Sequence, residues 1–408
     1  MGELAVWAET RRDIPRSDAK RTPLDVMLGT GSMKLGRNEK CWCGSNRKYK
    51  DCHYDRERQA PRPVWEVEKA FRAEFKRELC SSPSNWHKDC SGTIVRAHTV
   101  PKSSSLKKIA SNGHVYAFVP SLKNLQKWNG ILRPELVGVN RASTFTGFCS
   151  KHDNEIFSPI EDSNFSGSSE QCFLLAYRAV ARETYTKMAA NNLAPLRNDL
   201  DKGRSVQAQQ GIQEFNRYHN LGLQAGVRDS NFHKAKYDAC LEAKDYSTTR
   251  AYIVEFEYPP TVMCAGGNFP TEDFNGVELQ DLSDLSKTPD SMTFTSFWGG
   301  EAGYVVFSWI DEGKSAARTF IRSLEAIPDS KISSALIRFF FEVCENVHIQ
   351  PKWWTGLEQK KRDALISRMA VSADPFAFDK LGGLRDDGVE FADWKVKSRR
   401  TLNLIPSN

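Results

Sequence analysis

One stretch of the chain combines two pairs of metal-ligand residues with a histidine that stands between them. The ligand pairs are Cys80 with Cys90 and Cys149 with His152, and the histidine between them is His98. Thiolates and imidazoles grouped in this way are typical of a structural zinc site, which would staple the intervening chain into a scaffold. His98 ends a short run rich in β-branched residues, and Asp153 directly follows the last soft ligand. A histidine beside a metal-binding acid is the core of a one-metal phosphodiesterase, so the stretch predicts that chemistry.

We call Cys80, Cys90, Cys149 and His152 the second cluster, because another cluster of soft ligands lies earlier in the chain. The first cluster comprises Cys41, Cys43, Cys52 and His53. Three thiolates and one imidazole at this short spacing suit tetrahedral zinc. Gly44 permits the tight turn after the first two ligands. Because so short a module has no core of its own, zinc would supply its folding free energy.

The segments Gly36–Ser45 and Lys48–His53 resemble the SEC-C motif, a module known from the end of the bacterial preprotein translocase motor. The resemblance implies a zinc-held interaction module. It does not imply secretion, because the chain has no P-loop pattern of a motor ATPase. Five basic residues could contact phosphates or an acidic protein surface, and a plain docking module is the alternative: Arg37, Lys40, Arg47, Lys48 and Lys50.

The run from Ala97 to Ser103 resembles the HNH endonuclease signature, in which a histidine ends a strand and Pro and Ser follow at fixed spacing. The resemblance covers residues 80–161 and implies a ββα-metal domain stapled by zinc at Cys80, Cys90, Cys149 and His152. It assigns His98 as general base and Asp153 as the ligand of a separate catalytic Mg²⁺ or Mn²⁺ ion. Asn140 would orient His98, and Arg96 would grip a flanking phosphate.

The chemistry of phosphodiester hydrolysis explains these residue types. A divalent ion can neutralise the phosphate and the leaving oxygen, and a neutral imidazole can take a proton from water. One departure from the family is Ala97, because the family has Asp or His before the base and that residue often binds the metal. Asn112 or Asn154 are alternatives to Asn140, and Glu155 or Glu161 would have to complete the catalytic metal site.

His98 and Asp153 could also have purely structural roles. His98 could be a packed histidine that satisfies the end of a strand, and Asp153 could be an acid that favours the N-terminal end of a helix dipole. A zinc protein without activity that binds nucleic acid or acts as an adaptor is the second hypothesis, and Ala97 is the residue that favours it.

Charge favours nucleic acid as the partner, above all double-stranded DNA. The chain has 57 Lys and Arg against 51 Asp and Glu, a net charge of +6. Residues 90–134 contain no acid at all and surround His98 with basic residues, which is typical of a surface that binds a polyanion. An ordinary solvated loop region is the alternative. A protein partner could also bind through the first cluster or the C-terminal part.

We expect an α+β multidomain protein with a small zinc knuckle, a zinc-stapled ββα-metal domain, a helical segment and an α+β C-terminal domain. The expected ranges are a flexible basic arm (1–34), the first zinc module (35–58), the HNH-like domain (64–165), a helical region (166–247) and a C-terminal domain of unknown role (248–408). Within them we expect helices at 64–79, 168–190 and 205–245 and an irregular excursion at 120–140. No apolar run could span a bilayer and no signal peptide is evident, so we expect a cytoplasmic protein without membrane contact. By analogy, nucleases with added domains often belong to anti-phage defence or mobile elements.

Overall fold

The computed structural model describes residues 35–101, 105–311, 313, 315–372 and 382–403. The predicted basic arm at 1–34 lies outside the described residues, as do Lys102 and Ser103 of the histidine-containing signature. The expected mixture of helices and strands is confirmed. Within the described ranges, every helix is too short or too polar to cross a membrane.

The helices are α1 (Val64–Glu74), α2 (Lys107–Ile109), α3 (Leu122–Lys127), α4 (Ser150–Glu161), α5 (Ser169–Asn192), α6 (Ala194–Arg197), α7 (Val206–Ala243), α8 (Ala316–Glu325), α9 (Asp329–Val343), α10 (Pro351–Gly356) and α11 (Gln359–Ser372). The strands are β1 (Ile94–His98), β2 (His114–Ala117), β3 (Glu135–Gly138), β4 (Thr144–Cys149), β5 (Thr249–Phe256), β6 (Val262–Asn268), β7 (Met292–Trp298), β8 (Gly303–Ile310), β9 (Val347–Ile349) and β10 (Val396–Leu402). Short 3₁₀ turns occupy Tyr49–Asp51, Arg56–Arg58 and Ser84–Asp89.

An eight-stranded antiparallel sheet forms the centre of the fold, in the order β10-β5-β8-β7-β6-β9-β2-β3. Side chains of a strand alternate between its two faces. In β5, Val254 and Phe256 therefore join the aromatic core with the C-terminal helices, whereas Ala251 and Ile253 join the core on the other face with α5. A fully buried Val, Ile or Phe side chain contributes about 2 kcal/mol of transfer free energy, so burial on both faces stabilises the sheet.

Serine caps define the start of the long helices that frame the sheet. The Ser168 hydroxyl accepts a hydrogen bond from the Gln171 amide at the start of α5, and Ser205 does the same for Ala208 at the start of α7. Each cap satisfies one of the free amides that a helix N-terminus leaves. At the other end of α7, Lys244 adopts a left-handed conformation and stops the helix.

A separate two-stranded unit carries the second cluster. Strand β1 pairs antiparallel with β4, and β4 runs directly into α4. Ile94 lies opposite Cys149 and His98 lies opposite Thr144. The inner face of the hairpin packs on α4 and α5 through a third core, which includes Ala97, Phe145, Phe148, Phe157 and Tyr177.

The chain between β1 and β4 leaves this unit and joins the large sheet. Strands β2 and β3 lie in that interval, and β2 pairs with β9, where Ala117 lies opposite His348. The expected irregular excursion at 120–140 therefore contains α3 and β3. One sheet thus joins strands from the range 64–165 to strands from the range 248–408.

This shared sheet predicts that residues 64–165 cannot fold alone. Without β9, strands β2 and β3 would form an isolated two-stranded ribbon, which is marginal in water. We expect the isolated segment, supplied with zinc, to show no cooperative transition in urea followed by circular dichroism, whereas the whole chain shows one. A sharp transition of the segment would contradict this expectation.

Candidate metal centres and the histidine between them

The first cluster is built on a tight turn of the backbone. The Cys41 amide donates to the Arg47 carbonyl at 2.8 Å, and the Gly44 amide donates to the Cys41 carbonyl at 3.4 Å. Gly44 has a φ of +77°, a left-handed conformation that glycine adopts without strain. The 3₁₀ turn that follows then carries Cys52 and His53 back to the first two cysteines.

The four ligand atoms of the first cluster stand at distances that fit one metal ion. His53 Nδ1 lies 3.2 Å from the sulfur atoms of both Cys41 and Cys52, and the sulfur atoms of Cys43 and Cys52 lie 3.5 Å apart. Tetrahedral zinc at ordinary bond lengths separates its ligands by about 3.7 Å. Three sulfurs and one nitrogen also match the chemistry of structural zinc. The cluster can therefore bind a metal ion, consistent with zinc.

The ligands of the first cluster titrate as a group. Burial raises the pKa of Cys41 to about 12. Burial also acts to raise the pKa of Cys43, but hydrogen bonds from His53 and Ser45 lower it to about 6. Since zinc needs thiolates and a neutral imidazole, its binding must release the protons that these groups hold.

The buried carboxylate of Asp201 orients His53 by a hydrogen bond to Nε2, the ring nitrogen that does not face the cysteines. Burial acts to lower the pKa of His53, yet the hydrogen bond from its Nε2 to Asp201 Oδ2, at 2.9 Å, helps to raise it to about 9. Asp201 is fully buried and also accepts hydrogen bonds from Arg56 at 2.6 Å and Gln213 at 2.8 Å. A carboxylate behind a metal-binding histidine fixes the ring and its tautomer. The same contacts attach the first cluster to the segment between α6 and α7.

The second cluster connects the loop before β1 to the start of α4. His152 Nδ1 lies 3.4 Å, 3.5 Å and 3.3 Å from the sulfur atoms of Cys80, Cys90 and Cys149, respectively. Burial lowers the pKa of His152, so this imidazole is neutral and can donate its lone pair to a metal. Burial acts to raise the pKa of Cys149, but backbone hydrogen bonds lower it to about 7. These four residues can bind a second ion, again consistent with zinc.

His98 stands at the end of β1 on the face opposite to its neighbour Ala97. Ala97 is only 1% exposed and belongs to the apolar core beneath the hairpin. His98 is partly buried, and its Nε2 lies 3.3 Å from the Val139 carbonyl oxygen. A carbonyl oxygen can only accept, so Nε2 carries the proton and Nδ1 carries the lone pair. Arg96 is exposed at the irregularity in the β1–β4 register.

The three candidate asparagines are exposed, and the hydrogen bond that the structure shows for His98 goes to a backbone carbonyl. Asn140 is exposed in the turn that follows β3, and Asn154 is exposed on α4. Asn112 has a φ of +50° in the turn before β2, and its carbonyl oxygen accepts from His114 at 2.8 Å. The backbone of Val139, the residue before Asn140, contacts His98 instead.

Asp153 lies in the first turn of α4, with one carboxylate oxygen buried and without a hydrogen-bond partner. Burial raises the pKa of Asp153, while the charge of Arg178 opposes this rise. Arg178 is 1% exposed, pairs with Glu161 at 2.8 Å and stacks on Phe157 at 4.0 Å. Arg178 is therefore the cation whose charge acts on Asp153.

Comparison with known proteins bears on the first cluster. Residues 37–55 match the model of the SEC-C motif. This stretch holds all four ligands of the first cluster, and the resemblance noted from the sequence is confirmed there. No curated protein and no solved structure matches the chain significantly.

Two residues that act on these sites had no signal in the sequence. Asp201 lies 148 residues after the SEC-C histidine that it contacts. His348 lies in β9, in the large sheet, and is one of the groups on which the charge of His98 acts. Both contacts depend on the tertiary fold, and local spacing carries no information about either.

The Asp201 carboxylate gives a test of the SEC-C site. We expect Asp201→Asn to weaken zinc binding there by about 10- to 100-fold, because the residue behind a metal-binding histidine tunes its basicity and orientation. Competition with a chromophoric chelator measures the affinity. Asp199→Asn is the matched control, since Asp199 contacts Arg56 and Arg62 but not His53. Equal losses in the two variants would contradict this role.

Metal stoichiometry tests both clusters together. We expect two zinc ions per chain in the purified protein and one in Cys90→Ser, because the variant removes one of the four ligands of the second cluster. Elemental analysis measures the count. Cys240→Ser should retain two ions, since Cys240 belongs to neither cluster. Two ions in Cys90→Ser would refute the second site.

Proposed function

We propose that the chain is a DNA endonuclease of the HNH type, in which His98 is the general base of phosphodiester hydrolysis. The observation that carries the proposal is the hydrogen bond from His98 Nε2 to the Val139 carbonyl. It holds the proton on Nε2, so Nδ1 is the basic nitrogen of the ring, and a neutral imidazole is the group that a general base requires near neutral pH.

The local fold supports the proposal. Two antiparallel strands lead directly into a helix, and the second cluster ties the loop before the first strand to the N-terminal turn of that helix. This arrangement is similar to a zinc-stapled ββα-metal unit, in which a hairpin holds the base. By the resemblance of residues 97–103, His98 would be the base at the end of its first strand.

The surface near His98 suits a polyanion. Seven exposed basic residues lie in or beside the two-stranded unit and the adjoining strands β2 and β3: Arg96, Lys107, Lys108, Lys123, Lys127, Arg141 and Lys151. Neutralising the phosphate backbone is the main sequence-independent contribution to DNA binding. We therefore favour double-stranded DNA as the substrate, with the SEC-C motif as a site for a protein partner or for additional phosphate contact.

The catalytic Mg²⁺ or Mn²⁺ ion that the resemblance implies has no complete ligand set among the described residues. The unpartnered oxygen of Asp153 could accept a cation, but the guanidinium of Arg178 acts on the same carboxylate. Ala97 has no ligand atom and is buried in the core. Neither group of three or more possible ligands found among the described residues includes Asp153.

A plasmid-nicking assay tests the proposal. We expect the whole, zinc-loaded protein to convert supercoiled plasmid to nicked or linear DNA with Mg²⁺ or Mn²⁺. His98→Ala should lose at least about 100-fold in rate, the usual contribution of a general base. His114→Gln is the control, because His114 is exposed and bonds locally to Asn112. If the whole protein leaves the plasmid intact with every divalent ion, the proposal is wrong.

A zinc protein that binds nucleic acid without cutting it is the second candidate. The burial of Ala97 and the proximity of Arg178 to Asp153 favour it, because both weaken a catalytic metal site. In that case the plasmid would stay intact, while DNA binding would still weaken steeply with added salt. An adaptor that binds only protein would show little or no salt-dependent DNA binding.

A further inference from the structure

Strand β3 is one of the two edges of the large sheet. In the sheet that the described residues form, β3 has a hydrogen-bonded neighbour only on its β2 side. An edge strand presents a row of backbone N–H and C=O groups with which another chain can pair. The backbone and side chains along that edge decide which chain fits.

The ladder between β2 and β3 fixes which backbone groups of β3 point outwards. In an antiparallel pair, residues that exchange hydrogen bonds with the neighbouring strand alternate with residues that do not. The Val139 amide donates to the Gly113 carbonyl at 3.0 Å, in register with the pairing of β2 and β3. Two residues earlier, Val137 also bonds to β2. The backbone groups of Leu136 and Gly138 therefore point to the open side of β3.

The two ends of this edge differ from those of an ordinary strand. The Gly138 carbonyl already accepts from the amides of Arg141 and Ala142, at 2.8 Å and 3.1 Å, in the turn after β3. Pro134, directly before β3, has no amide hydrogen to donate. The edge therefore lacks a donor at one end, and its acceptor at the other end is already in use.

These two departures match each other when β3 pairs with a copy of itself. In a two-fold antiparallel pair centred on Leu136, Gly138 of one copy lies opposite Pro134 of the other. The Gly138 amide then donates to the Pro134 carbonyl, while the occupied Gly138 carbonyl faces the residue that has no hydrogen to offer. The Leu136 residues of the two copies exchange both of their backbone hydrogen bonds.

The side chains on this edge also suit self-pairing. Leu136 is 53% exposed and lies on the face of the sheet where the rings of Tyr116 and Trp354 stand 6.5 Å apart. In the pair, the Leu136 side chains of the two copies cover each other and extend that apolar surface. Glu135, the only charged residue of β3, faces Val137 of the second copy, so no like charges lie opposite each other.

The other edge of the sheet has the usual protection against pairing. Strand β10 carries Lys397, Arg399 and Arg400, and like charges on an edge strand oppose association with another strand. Strand β3 carries no basic residue. The two edges therefore differ in charge, and β3 is the one that can accept a further strand.

We propose that two copies of this chain associate through β3, in an antiparallel pair with Leu136 opposite Leu136, so that their large sheets become one. A second copy is the occupant because this chain's own sequence supplies both the match for the missing donor and the match for the occupied acceptor. Since β3 has only 4 residues, the pairing forms few hydrogen bonds, and a small interface of this kind is reversible.

Sedimentation equilibrium of the whole zinc-loaded protein, over a range of concentrations, tests the association without DNA. We expect a reversible equilibrium between monomer and dimer. Leu136→Lys should raise the dissociation constant at least about tenfold, because it removes an apolar contact and places like charges opposite each other. Leu221→Lys is the matched control and should behave as wild type, since Leu221 is 44% exposed on α7.

Two results would overturn the proposal. One is a monomer at every concentration, which would leave the edge to another protein or to another segment of this chain. The other is an equal dissociation constant for Leu136→Lys and Leu221→Lys, which would place the interface elsewhere.

Cross-linking tests the register of the pair. Opposed Cα atoms of a hydrogen-bonded antiparallel pair lie about 5.5 Å apart, within reach of a disulfide. Leu136→Cys should therefore form a disulfide between two copies on mild oxidation, identified by mass spectrometry of the linked peptides. Glu135→Cys faces Val137 and should not form one. No link through Leu136→Cys, or an equal yield from Glu135→Cys, contradicts the pairing. Neither measurement involves cleavage, so the pairing and the proposed function stand or fall separately.

Discussion

The candidate site depends on the second cluster, which joins the loop before β1 to the start of α4. Cys80 and Cys90 precede β1, whereas Cys149 and His152 flank the junction of β4 and α4. Two strands alone are marginal in water. A metal ion shared by the four residues would contribute folding free energy and hold strand and helix at one end of the hairpin. His98, four residues along β1 from Ile94, then stands at the other end, against the sheet.

Hydrogen bonds connect the large sheet to the chain that follows His98. The hydroxyl of Ser143 receives hydrogen bonds from the hairpin and from Asn346, which in turn fixes the ring of His348. Buried polar groups of this kind are stable when they are satisfied together and costly when one is left without a partner. Nδ1 of His348 is buried without a hydrogen-bond partner. A buried hydrogen bond also orients a histidine of the SEC-C motif, since Asp201 accepts from His53.

The parts of the fold that could be predicted from the sequence are those that local chemistry decides. Both Cys/His clusters follow from ligand type and spacing, and α5 and α7 follow from helical periodicity and lie within two residues of their expected ends. The pairing of β2 with β9 could not be predicted, because 230 residues of chain separate Ala117 from its partner His348, and nothing in either segment encodes the other. For the same reason nothing in the sequence related His348 to His98. The spacing of residues along the chain also could not predict that the charge of Arg178 acts on Asp153 in the fold.

The central claim is that water, activated at His98, attacks a DNA phosphodiester. The most direct measurement is cleavage of DNA in water enriched in ¹⁸O, followed by mass analysis of the new ends. The account predicts one ¹⁸O atom in each new 5′-phosphate, with 3′-hydroxyl ends, and no labelled product from His98→Ala. Labelled product formed at the same rate by His98→Ala, or ends that carry no label, would contradict it.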